Sequence, residues 1–167
     1  MIYLITGGER SGKSSHAREL ALKLSDSPIY VATARKWDAD FEQRIKRHQN
    51  ERDQRWTNIE EEKQLGKLAL NNQVVVIDCV TLWLTNFYTD NNFQIEESLN
   101  DAKSEFDALK LKQGIFIIIS NEIGMGVHAQ TEIGRKFVEL QGWMNQYIAK
   151  NADEVILMVS GIPVKIK

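Results

Sequence analysis

The sequence predicts an α/β fold, a mostly parallel central sheet with helices on both faces, and three observations carry that prediction. Short apolar runs recur at 2–6, 29–33, 74–78, 115–120 and 155–160. They are rich in Val and Ile and hardly alternate with polar residues, as expected of strands covered on both faces. The segments between them carry apolar residues at helical spacing, and strand alternating with helix is the pattern of a sheet wrapped on both sides.

Taken in order, the run at 2–6 ends in a glycine-rich turn, and Leu20, Leu22 and Leu24 mark the helix expected after it. Asn71-Asn72 precedes the third strand, and Asp90-Asn91-Asn92 lies beyond it. Both are expected to be turns, because short polar side chains hydrogen-bond their own backbone there. Phe106, Leu109 and Leu111 precede the fourth strand as the apolar side of another helix. Phe137, Leu140, Trp143, Met144, Tyr147 and Ile148 recur at three and four residues and give the clearest helix of all. No internal repeat or low-complexity linker interrupts the series, so one domain over 1–167 is expected.

Composition narrows the function classes. With 167 residues, 43% hydrophobic and 26% charged, the chain matches an ordinary globular domain rather than a disordered or fibrous one. Twenty-one Lys and Arg against 23 Asp and Glu leave a net charge of -2, which supplies no broad positive field, so no nucleic-acid partner is expected. Cys79 is the single cysteine, which excludes an intrachain disulfide and a multi-cysteine metal site. No apolar stretch approaches the roughly 18 residues that span a bilayer. The run Met1-Ile2-Tyr3-Leu4-Ile5 also lacks the basic lead of a signal peptide. A cytoplasmic protein without a transmembrane segment is expected.

The first strand runs straight into Gly7-Gly8-Glu9-Arg10-Ser11-Gly12-Lys13-Ser14, which fits G-x-x-x-x-G-K-[ST] at every fixed position. Such a loop wraps backbone N–H groups around phosphate oxygens, and glycine permits the close approach and the unusual dihedrals. Lys13 is expected to reach the β/γ-phosphates of ATP or GTP, and the Ser14 hydroxyl to ligate Mg²⁺. Strand, loop and helix fall in the order the mechanism demands, which makes the fold P-loop NTPase-like. The bland alternative is a glycine-rich turn with an exposed lysine.

Asp78 closes the third strand and is the natural acidic partner across Mg²⁺. The competing role for it is to cap the helix beginning near Thr81. Its neighbour is Cys79, where motor ATPases usually carry a water-orienting glutamate, so water is disfavoured as acceptor. Asp78-Cys79-Val80-Thr81 also fails D-x-x-G, and no N-K-x-D occurs further along, which disfavours a GTPase switch. Transfer of a phosphoryl or nucleotidyl group to another molecule fits better.

Arg44, Arg47, His48, Glu51 and Arg52 would share one face of a helix. One reading is a solvated charged face. The sharper one makes His48 a nucleophile that attacks phosphorus and holds the group as a phosphoramidate, with arginines neutralising phosphate. His16 is expected on the helix after the loop, and His128 comes after a glycine-rich turn where it could touch substrate.

Several of these motifs together resemble the bifunctional adenosylcobinamide kinase/adenosylcobinamide-phosphate guanylyltransferase family of cobalamin synthesis. They are the phosphate loop, Tyr30-Val31-Ala32-Thr33-Ala34, Arg44-Ile45 with His48 and Arg52, Asp78 through Asn86, Asn121-Glu122-Ile123-Gly124-Met125-Gly126 and Ser160-Gly161-Ile162-Pro163. The resemblance implies phosphorylation of adenosylcobinamide by a nucleoside triphosphate. It further implies transfer of GMP from GTP, through a histidine, to adenosylcobinamide phosphate. His48 takes the position of the guanylylated histidine. Thr33, Ala34, Arg35, Arg52, Glu60 and Asp78 fall where the family contacts guanine nucleotide, and Glu60-Glu61-Glu62 offers the acidic contact at shifted registers too. A homo-oligomer is implied as well. The chain departs from the pattern at His128, where many relatives carry proline, and 88–100 lies outside the resemblance. On the residues alone, a non-enzymatic nucleotide-binding module and a plain small-molecule kinase remain as alternatives.

Overall fold

The computed structural model describes residues 1–35 and 52–167. Its strands are β1 (Ile2–Gly7), β2 (Ile29–Ala32), β3 (Thr57–Glu60), β4 (Gln73–Asp78), β5 (Gly114–Ile119), β6 (Glu154–Val159) and β7 (Ile162–Lys165). Its α-helices are α1 (Lys13–Leu24), α2 (Val80–Asp90), α3 (Ile95–Lys110) and α4 (Glu132–Asn151). The seven strands form one sheet in the order β3-β2-β4-β5-β1-β6-β7. Every neighbouring pair is parallel except the β6–β7 hairpin.

The parallel strands bury side chains on both faces, which is why their sequences read as continuous apolar runs. Ile2 and Leu4 of β1, Val75 and Ile77 of β4 and Phe116 and Ile118 of β5 pack with Trp83, Phe106, Leu140, Met144 and Ile148 from α2, α3 and α4. Tyr3, Ile5, Val74, Val76, Ile117 and Ile119 point the other way, onto Ala17 and Ala21 of α1. The helices therefore cover both faces. Each large side chain buried in this way contributes about 1.5–3 kcal/mol.

The helical faces differ from expectation in detail. On α1, Ala17 and Ala21 at i,i+4 are buried against the sheet, where small side chains let the helix lie close, Leu20 and Leu22 pack partly buried beside them, and Leu24 is 40% exposed. The third helix ends at Lys110, which leaves Leu111 outside it and exposed. On α4, Leu140, Met144 and Ile148 are buried as the periodicity predicts, while Trp143 is half-exposed. Asn72 and Asn92 take positive φ, 60 and 50, in the expected turns.

Two strands lie outside the sequence prediction. β3 is an edge strand of mostly exposed residues, and β7 is four residues with an exposed side chain at every position. Neither carries the apolar run that marks a doubly covered strand. Among the described residues, no helix is long and apolar enough to cross a membrane.

Candidate nucleotide and acceptor site

The C-terminal ends of β1, β2, β4 and β5 surround a cavity of about 810 Å³, within the range of small-molecule sites. Open parallel sheets place their ligands at this edge. Its floor is the loop between β1 and α1. Gly7 has φ 151, and a Cβ there would lie 2.6 Å from the Met158 carbonyl oxygen. Gly12 has φ 95, and its Cβ would lie 3.2 Å from the Cα of Gly161. Only glycine meets both demands. The loop is clamped from outside by the β6–β7 turn, whose Gly161 N–H donates to the Ser11 carbonyl at 2.9 Å.

Gly12 is the N-cap of α1 and makes no side-chain cap, so the first-turn N–H groups stay open to an anion. Lys13 is buried and donates from Nζ to the Gly8 carbonyl at 2.6 Å, lying back along the loop. Burial pulls its pKa below the ordinary lysine value, against the opposing pull of Cys79, Glu9 and Asp78.

Across the floor, the Ser14 hydroxyl donates to Asp78 Oδ2 at 3.1 Å. The Tyr30 hydroxyl donates to the same oxygen. Asp78 is thus committed to the site, and the N-cap of α2 is Cys79, with no side-chain cap bond. Two oxygens this close, one hydroxyl and one carboxylate, suit Mg²⁺, which takes few protein ligands and completes its shell with phosphate and water. The Arg52 guanidinium lies 3.8 Å from the centroid of the Tyr30 ring, and Trp56 meets that ring edge-on at 5.9 Å. Burial pushes the Tyr30 hydroxyl well above the usual tyrosine pKa, with Asp78 adding to it. Burial also lowers Arg52, opposed by Tyr30 and Asp78. The Cys79 thiol is pushed up to about 12 by burial and by Asp78 beside it.

Opposite this cluster stands Glu122, just beyond β5. Its backbone N–H donates to the Gly7 carbonyl at 3.1 Å, which ties it to the start of the phosphate loop. Glu122 Oε1 accepts from the Thr6 hydroxyl at 2.6 Å and from Asn145 Nδ2 at 3.1 Å. Asn145 Oδ1 in turn accepts from Ser120 Oγ at 2.6 Å and from Gln141 Nε2 at 2.9 Å.

The expected site residues divide into three groups. Glu9, Arg10, Ser11, Gly12, Lys13, Ser14, Ala34, Arg52 and Asp78 line the cavity, with Gly7 and Gly8 in the loop beneath it. Thr33, Arg35 and Glu60 are outside the cavity wall. The Thr33 hydroxyl both donates to the Cys79 carbonyl at 2.8 Å and accepts the Cys79 N–H at 2.9 Å, which pins the end of β4. Arg35 pairs with Glu62 at 2.7 Å and with Asp90 at 2.8 Å, and Glu60 is exposed at the end of the edge strand β3. Arg44, Arg47, His48 and Glu51 lie outside the described residues. His128 is exposed in the loop before α4.

Tyr30, Arg18 and Glu122 also line the cavity, and the sequence pattern assigns them no role. Glu122 carries a signal that could reveal it, since Asn121-Glu122 directly follows a strand on the edge that carries the phosphate loop. Tyr30 inside an apolar strand carries no such signal.

The sequence matches the family described as cobinamide kinase / cobinamide phosphate guanyltransferase over residues 3–166. It is 35% identical to the bifunctional adenosylcobalamin biosynthesis protein CobU of Escherichia coli over 100% of both chains. It is 35% identical to the bifunctional adenosylcobalamin biosynthesis protein CobP of Pseudomonas aeruginosa, over 98% of this chain and 96% of that one. Among solved structures it is similar to the flagellar accessory protein FlaH from Methanocaldococcus jannaschii, at 15% identity and TM-score 0.48, covering 99% of this chain and 77% of that one. A likeness of that size adds nothing to the sheet order already given.

Proposed function

The chain belongs to the cobinamide kinase / cobinamide phosphate guanyltransferase family, and we propose how its single domain over 1–167 performs the two reactions. In the first, adenosylcobinamide receives the γ-phosphoryl group of ATP or GTP. In the second, the GMP moiety of GTP passes to adenosylcobinamide phosphate, giving adenosylcobinamide-GDP and pyrophosphate for the cobalamin nucleotide loop. The observation that carries this reading is the family match from end to end over a chain whose phosphate loop opens into a cavity at the C-terminal sheet edge.

The loop N–H groups from Gly8 to Ser14 and the Lys13 ammonium bind the triphosphate and hold its charge. Ser14 and Asp78 would hold Mg²⁺, which supplies neutralisation of the phosphate oxygens. Arg52 sits at the cavity wall, where a guanidinium offers paired donors to phosphate. Ala34 lines the same wall; this reading adds Arg35 and Glu60 beyond it as guanine-nucleotide contacts, while Thr33, buried, serves by pinning the end of β4. For guanylyl transfer, a nitrogen of His48 attacks the α-phosphorus, and the bond to pyrophosphate breaks. The acceptor phosphate then displaces His48 from that phosphorus, which regenerates the free imidazole.

The same reading includes a homo-oligomer acting in the cytoplasm without nucleic acid. Self-association is supported by the β7 edge, where Ile162, Val164 and Ile166 are 66%, 46% and 61% exposed.

The test is incubation with Mg²⁺ and GTP labelled at the α-phosphate, then denaturation and mapping of the adduct. A GMP adduct on His48, labile to acid and stable to base, is expected. His48→Ala should lose it while still phosphorylating adenosylcobinamide, and Lys13→Ala should lower both activities. A normal yield of adenosylcobinamide-GDP from His48→Ala would refute the nucleophile assignment.

A further inference from the structure

Among the described residues, three carboxylates stand in the cavity wall, Glu9, Asp78 and Glu122, and they are not equivalent. Asp78 Oδ2 is taken by Ser14 and Tyr30. Glu9 is exposed on the loop itself. Glu122 is half-buried, and one oxygen, Oε1, takes both hydrogen bonds that reach its carboxylate from the described residues. The donors are themselves fixed. Asn145 is 6% exposed, and behind it Ser120 and Gln141 are 0% and 1% exposed. These three polar side chains, arranged around Asn145, occupy a buried position that apolar residues would fill at lower cost unless the orientation of something were at stake. They orient the Glu122 carboxylate, which lines the cavity beside the phosphate loop, and no hydrogen bond from the described residues reaches its second oxygen.

On the kinase reading, on which this step rests, the loop delivers a γ-phosphoryl group but nothing yet receives the proton of the acceptor alcohol. We infer that Glu122 is the general base of phosphoryl transfer, accepting the hydroxyl proton of the acceptor through Oε2. In that step the acceptor O–H bond breaks as its oxygen forms a bond to the γ-phosphorus. The bond from that phosphorus to the bridging oxygen breaks, and the electron pair leaves with the nucleoside diphosphate. The proton rests on Glu122 until water removes it. The assignment explains why Thr6 precedes the loop with its hydroxyl turned onto Glu122, and why Glu122 N–H is tied to the Gly7 carbonyl: both hold the carboxylate at the phosphate end of the cavity. Guanylyl transfer has no such requirement, because neither the His48 imidazole nor a phosphate oxygen needs an alcohol proton removed.

The test is Glu122→Gln, which keeps the shape and an acceptor for Thr6 but cannot take the proton. Phosphorylation of adenosylcobinamide and guanylylation of the protein by GTP are measured on the same preparation, with thermal stabilisation by Mg²⁺ and GTP as the folding control. A fall in kinase kcat of about 100-fold or more is expected. The KM for adenosylcobinamide and the guanylylation rate should stay within about twofold, as expected when a group acts only in the transition state of one step. Wild-type kinase kcat in Glu122→Gln would overturn the inference. So would a parallel loss of kinase and guanylylation, which would assign Glu122 to nucleotide binding. A wild-type protein that guanylylates His48 but never phosphorylates adenosylcobinamide would overturn the kinase reading and this inference with it.

Discussion

Removing the Tyr30 hydroxyl is the sharpest probe of how the Asp78 carboxylate is held. Tyr30 is 3% exposed and its hydroxyl donates to Asp78 Oδ2, the oxygen that also receives Ser14. Tyr30→Phe deletes that donor and leaves the ring, so the Arg52 contact at 3.8 Å and the Trp56 contact at 5.9 Å are retained. A hydrogen bond to a charged group contributes about 1.5–3 kcal/mol. In a chain of this size each kcal/mol moves Tm by about 2–4 °C, so Tyr30→Phe should melt about 3–12 °C lower. The hydroxyl pKa is raised, so it remains a donor throughout the neutral range and the loss should not depend on pH there. Scanning calorimetry of Tyr30→Phe, Asp78→Asn and the double variant measures the pair directly. Non-additivity of about 1 kcal/mol or more is expected. A Tyr30→Phe protein that melts within about 1 °C of wild type, or strict additivity in the cycle, would refute the argument that this hydroxyl anchors Asp78.

Two further outcomes concern the margins of the site. The Arg35 and Lys63 side chains hold the Asp90 carboxyl well below the usual range, so its contribution is present above the unfolded pKa of about 3.9 and is lost as pH falls below it. Asp90→Asn should accordingly flatten the decline of Tm below about pH 4, and an unchanged acid limb would show the pair to be idle. The Cys79 thiol, buried and pushed up to about 12, should resist iodoacetamide at pH 8 until denaturant is added. Rapid alkylation of the native protein, located by peptide mapping, would contradict its burial.

The legibility of the fold tracks burial. The five parallel strands covered on both faces stand out as apolar runs because each buries residues on two sides, as Ile2 and Leu4 do on one face of β1 and Tyr3 and Ile5 on the other. β3 and β7 do not, since their side chains are mostly exposed and their residues are chosen for other reasons. In β7 a signal is nonetheless present: Ser160-Gly161, both at positive φ, is the two-residue turn of a hairpin. Helix existence is legible, but the packed face of α1 is so only in part: Leu20 and Leu22 mark it, while the closest contact is made by Ala17 and Ala21, whose small side chains give no strong apolar signal.

By itself the sequence marked the glycine-rich loop after β1, since the demands at Gly7 and Gly12 are local backbone geometry at fixed spacing. It also carried the family, because the motifs extend along the whole chain. Only the tertiary structure decided what Asp78 does, because capping α2 and facing Ser14 are both open to a strand-end aspartate, and the choice depends on Tyr30, 48 residues away. The same holds for Glu122, whose partners Thr6 and Asn145 lie 116 and 23 residues distant. Hydrogen-bond networks built across strands have no period in the chain, so the orientation of a carboxylate becomes visible only when the sheet brings its donors together.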